Sequence, residues 1–146
     1  MEGFAMAHAS AETHPSVRSS VIVRADSPTY QAYQILHFAF FLAPVVAGVD
    51  KFFHYLVDWD MYLSPMFARM IPMSTTSFMK AVGGIEILAG LLVAFKPSIG
   101  GWVVGAWLIG IIFNLIALHG YYDIALRDFG LALGAFALAR MSVAYE

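Results

Sequence analysis

The chain has no cysteine. Disulfides, dithiol redox chemistry, a cysteine nucleophile and thiolate-held iron–sulfur or zinc centres are therefore excluded within it. Charge is scarce too. Asp, Glu, Lys and Arg make up 12% of the residues, against about a quarter in a soluble domain. The formal net charge is −2, which leaves no basic footprint for nucleic acid. H-E-x-x-H, a glycine-rich phosphate loop and G-x-S-x-G are all missing, and no spacing of side chains assigns a metal.

What is present is apolar. Hydrophobic residues make up 60% of the 146, and the mean hydropathy is +0.73. Such a balance suits a chain whose solvent is mostly lipid. The length accommodates about four spans and a tail. The expected architecture is an all-α membrane protein. Residues 28–146 form a four-transmembrane-helix bundle, with an interfacial segment between helices 1 and 2, behind a polar tail at residues 1–27.

That tail lacks the basic stretch and apolar core of a signal peptide. Its composition is that of a solvated segment, with Val21, Ile22 and Val23 as its one patch suited to docking. Ser27-Pro28 then reads as a helix start, a capping residue followed by proline at the first helical position. The first span is expected over residues 30–49, a run that at about 1.5 Å per residue covers a hydrocarbon core of about 30 Å. Pro44 lies inside it and removes one backbone bond. His37, Phe41, Pro44, Gly48 and Lys51 share one face by their spacing.

Residues 50–77 are too long for a tight hairpin and too apolar for a free loop. Residues 51–56 are expected to continue the first helix towards the interface. Trp59 and Tyr62 read as headgroup-level anchors, and Pro65 and Pro72 break any long helix. The remaining spans are expected at 78–95, 99–118 and about 124–143. The last must include Arg127 and Asp128 near one membrane edge. Arg18, Arg24, Lys96 and Arg140 on one side, against Arg69 and Lys80 on the other, favour cytoplasmic termini.

Glu86 lies near the middle of the second span, where a carboxylate costs about 2.5–3.5 kcal/mol on insertion scales. Gly83 and Gly90 flank it on one face and allow another backbone to come close. Lys51, Asn114 and Arg127 fall in the same half of the membrane. The candidate cluster is Lys51, Glu86, Asn114, Arg127 and Asp128, with Asp50 beside it; Asp50 and Asp128 are expected at the edge. Lys51 and Arg127 have stems long enough to reach towards Glu86. Three roles stay open for Glu86: a tie that fixes helix register, a proton carrier at a quinone headgroup, or a neutral hydrogen-bond donor. His37, His54 and His119 are candidates for touching a haem or pigment, though nothing in their spacing demands it.

Three motifs carry a resemblance. Residues 48–53 read GVDKFF, residues 84–92 read GIEILAGLL, and residues 125–134 read ALRDFGLALG. In this order and spacing they resemble the DoxX-like membrane protein family, over about residues 33–139. The resemblance implies a four-helix membrane fold. It also implies association with terminal-oxidase or thiosulfate:quinone oxidoreductase complexes, with redox-stress complexes, or with chaperone-like roles. Lys51, Glu86, Arg127 and Asp128 match recurrent positions of that pattern.

The expected function is that of a small accessory integral-membrane subunit of a larger redox complex, more a non-catalytic subunit than an enzyme. A quinone-reactive subunit is the first alternative and a small transporter the second. No intrinsic cofactor is expected; quinone, haem or pigment would come through a partner. The expected partners are the bilayer and other membrane subunits, and the expected place is a bacterial inner membrane.

Overall fold

The structure, a computed structural model, describes residues 25–146. The expected tail therefore lies almost wholly outside the described residues. Those described are mostly helical, with no strand among them.

Helix α1 spans Pro28–Phe53, with Ser27 in extended conformation before it and Pro28 in its first turn. Pro44 interrupts its backbone ladder without ending it. The helix stops at Phe53 rather than running on through residues 54–56. His54 turns left-handed (φ 57°), and the Asp50 carboxylate accepts the N–H groups of Tyr55 (2.9 Å) and Leu56 (3.0 Å). That side chain supplies the acceptor which another helical turn would have offered, so the chain folds back.

The connection to the next long helix contains a 3-10 turn, Trp59–Tyr62, and one short helix, α2 (Pro65–Ala68), capped by Ser64. Helix α3 spans Thr75–Phe95. It begins three residues before the expected Phe78 because the Ser74 hydroxyl caps it, accepting the Ser77 N–H at 3.2 Å. Helix α4 spans Pro97–Leu118 and ends at His119, also left-handed. Helix α5 spans Tyr122–Ser142.

Three of the four long helices, α1, α3 and α4, are long and apolar enough to cross a membrane. Helix α5 carries Asp123, Arg127, Asp128 and Arg140 and is not among them. The outer faces are apolar: Ile35 is 68% exposed, Leu88 68%, Phe113 64% and Leu126 73%. Water would make such a surface costly, whereas lipid does not. The helices are built to face a bilayer.

Helix α1 packs along α3, and α4 along α5; the two pairs join chiefly through α3 and α4. At the end where α1 begins, the pairs are stitched together. The rings of Tyr30 and Tyr33 meet Tyr145 with centroids 5.2 and 4.9 Å apart. The Glu146 carboxylate accepts the Ser98 N–H (2.8 Å) and hydroxyl (2.6 Å), capping α4 in place of Lys96, whose side chain makes no cap bond. Val93 and Leu138 are fully buried in the core. The opposite end, under the connection, is where the pairs part.

Candidate functional site

A close approach of two backbones builds the site. A Cβ at Gly48 would lie 2.5 Å from the Gly83 carbonyl oxygen, and one at Gly83 would lie 2.5 Å from that of Gly48. Only glycine at both positions lets α1 and α3 touch here. One turn further along each helix stand Lys51 and Glu86. The two helices run antiparallel, so these turns lie on opposite sides of the contact, and the Lys51 stem reaches back along α3 to close the gap, with Lys51 Nζ 2.6 Å from Glu86 Oε2 and side chains only 5% and 8% exposed. Lys51 Nζ also lies 3.6 Å from the centroid of the Trp59 ring, a cation–π contact. Trp59 is held there by its Nε1–H donating to Asp50 Oδ2 at 2.7 Å. On the α4 side, Trp107 Nε1–H points at Glu86 Oε1 over 3.5 Å, the long limit of a hydrogen bond.

These groups line a cavity of about 730 Å³ between the two helix pairs. Lys51, Glu86, Asn114, Arg127 and Asp128 all line it, together with Trp59, Tyr62 and Trp107. The rest of its wall is apolar, running down α1 through Ala47, Ala43 and Phe40 and up α4 through Ile111, Leu108 and Val104. It is thus an elongated apolar chamber with polar groups gathered under the connection.

The five residues share the cavity but not one network. Arg127 does not reach Glu86. It bonds its neighbour Asp128, Nη2 to Oδ1 at 3.2 Å, and its own side chain is 66% exposed. Asp50 and Asp128 are buried, at 6% and 5%. Asp50 is buried because it receives the chain that turns back over α1, Asp128 because it faces the cavity. Asn114 serves the connection instead of the ion pair. Its Nδ2 donates to the Tyr62 carbonyl (2.6 Å), and its Oδ1 accepts the Ser64 N–H (2.9 Å).

The histidines stand apart from this site. His37 Nε2 lies 2.8 Å from the Val93 carbonyl oxygen, and its ring stacks on Tyr33. His119 Nδ1 lies 3.2 Å from the Tyr122 hydroxyl. His54 offers a ligand atom within 4.8 Å of those of Asp58 and Asp60, a grouping that sequence spacing did not reveal. Asp60 Oδ1 is buried with no hydrogen-bond partner among the described residues, while Asp58 is exposed; exposed acidic groups of this kind are common without an ion.

Three aromatic cavity residues, Trp59, Tyr62 and Trp107, escaped the sequence reading as such. Trp59 and Tyr62 were legible only as interfacial anchors. Trp107 had a signal: tryptophan favours the membrane edges, yet this one sits at the middle of an apolar helix. An indole there needs a partner for its N–H, and the nearest mid-membrane acceptor is Glu86.

Comparison of the chain with family models, with curated proteins and with solved structures finds no match in any of the three.

Proposed function

We propose that this chain is a four-span membrane subunit that holds one uncharged amphiphile from the bilayer, with its polar head at Lys51 and Glu86. The carrying observation is the cavity, apolar along most of its length with a buried ion pair in its wall. Its volume falls in the range of drug-sized ligand sites, roughly 300–1,000 Å³. The charges that line it cancel in pairs, Lys51 with Glu86 and Arg127 with Asp128, which favours a neutral head. In this reading α5 is the fourth span, its polar residues turned to the cavity or, like Arg127, reaching for the interface.

Quinones are one class of such amphiphile. The DoxX-like motifs support that choice, because Lys51, Glu86, Arg127 and Asp128 from those motifs line this one chamber. Lys51 would donate to a quinone carbonyl oxygen, and Glu86 would pass protons one at a time. The two electrons that reduce a quinone to a quinol would come from a partner subunit, since this sequence has no cysteine to hold an iron–sulfur centre.

Purification in mild detergent from the native source, followed by mass spectrometry of intact complexes and extracted lipid, tests the assignment. The expected result is one neutral amphiphile per chain, and its loss when Ala89→Phe fills the chamber. Lipid of bulk composition, unchanged by that substitution, would refute it. Glu86→Gln then separates a bound structural lipid from a reacting quinone: assembly with full turnover means that Glu86 carries no proton.

A further inference from the structure

We infer that the slot between α1 and α5 is a lateral portal through which an uncharged single-chain amphiphile enters the cavity from the bilayer, and that Gly130 keeps it open. This rests on the reading of the cavity as a ligand site and adds the route. Helices α1 and α5 meet from the start of α1 to its middle, where Tyr33 lies against Tyr145 and the Phe40 ring against Gly134. Beyond Phe40 the wall has small residues on both helices, with Pro44 and Leu131 beside them. Ala43 and Ala47 stand on α1 and Gly130 on α5, and all three line the cavity.

The slot leads outwards rather than to a closed wall. Ala43 and Gly130 are exposed, and a Cβ at Gly130 would meet nothing within 4 Å. On the opposite side of the chamber, α3 and α4 are drawn together through Glu86 and Trp107. Arg127 stands at the outer lip with its guanidinium partly free of Asp128. A molecule moving sideways through this slot keeps its chain in hydrocarbon throughout, and its head passes Arg127 on the way to Lys51. An ionised head would have to be desolvated against charges that are already paired.

The probe is a decyl-tailed benzoquinone, added to protein in phosphatidylcholine nanodiscs. Quenching is read by stopped flow on a Trp102→Phe background. That background removes a lipid-facing indole, which is 48% exposed, and leaves Trp59 and Trp107 in the cavity wall. Gly130→Phe and Ala43→Phe should each slow saturable quenching at least tenfold. Gly110→Phe should not, because Gly110 is equally open but lies outside the cavity. Decanol should compete, and decanoate and decyltrimethylammonium should not. Loading at the reference rate in both lip variants would overturn the portal alone. Non-saturable quenching that is unchanged by Ala89→Phe would overturn both the portal and the site. Equal competition by a charged analogue would overturn the neutral-head requirement.

Discussion

Removing one partner of the Lys51–Glu86 pair is the sharpest perturbation available. The two charges lie 2.6 Å apart with 5% and 8% of their side chains exposed, so neither has water to fall back on. Glu86→Leu leaves Lys51 as a buried cation whose remaining support is the Trp59 ring at 3.6 Å. Breaking a buried pair in this way costs about 3–5 kcal/mol. At 1.4 kcal/mol per factor of ten, the folded-to-unfolded ratio should fall by roughly two to three and a half orders of magnitude. Lys51→Met should cost a similar amount by stranding the carboxylate. The double variant is different. It removes both desolvation penalties and leaves two apolar side chains of similar volume, so its stability should return to within about 1 kcal/mol of the parent or exceed it. Equilibrium unfolding in bicelles, by steric trapping, measures all four proteins on one scale, and the cycle yields the coupling directly. If each single variant stays within about 1 kcal/mol of the parent, or the double variant loses as much as both singles together, the pair is not the buried tie described here.

Three further outcomes follow from the same geometry. Gly83→Ala should destabilise by about 1–3 kcal/mol because its Cβ would meet the Gly48 carbonyl oxygen at 2.5 Å, whereas Gly84→Ala, with nothing within 4 Å, should be neutral or gain up to about 1 kcal/mol; thermal unfolding in detergent distinguishes them. Asn114→Ala orphans the Ser64 N–H and Tyr62 carbonyl at about 1–3 kcal/mol, and hydrogen exchange should rise over residues 59–66 while α5 stays protected. Glu146 is held below its ordinary pKa of 4.5, first by the Ser98 hydroxyl and then by the Ser98 N–H. Its contribution is therefore present above the unfolded-state value and lost as pH falls through the lower folded one; exchange at the first turn of α4 should accelerate on acidification from about pH 5, and Glu146→Gln should remove that dependence.

The helices were legible because apolar length is a strong signal and because Ser27-Pro28 marks a start by simple stereochemistry. Their ends were less so. The stop at Phe53 depends on Asp50 folding back to meet Tyr55 and Leu56, a tertiary event that no local propensity encodes, and the early start at Thr75 hides in a polar run that resembles a loop. The polar side chains that line the cavity could be named from their depth and spacing, but their pairings could not. Lys51 rather than Arg127 meets Glu86 because Gly48 on Gly83 fixes the offset of α1 against α3, and that offset is a property of two helices at once. The connection was the least legible part. Its form follows from contacts to Asp50 and Asn114, which are distant in sequence from much of what they hold.

The position of Lys51, two residues before the end of α1, bears on how the protein enters a membrane. A chain made from its N-terminus delivers α1 well before α3, so the ammonium is in place while its counter-ion is still unmade. Near a helix end its flexible stem can hold the charge in the headgroup water meanwhile. Glu86 has no such refuge, being at mid-helix, but it arrives second, to a bilayer that already contains its cation. The order of synthesis thus spares the more deeply placed charge a period alone in hydrocarbon, and the glycine contact completes the transfer by drawing Lys51 inward as α3 docks.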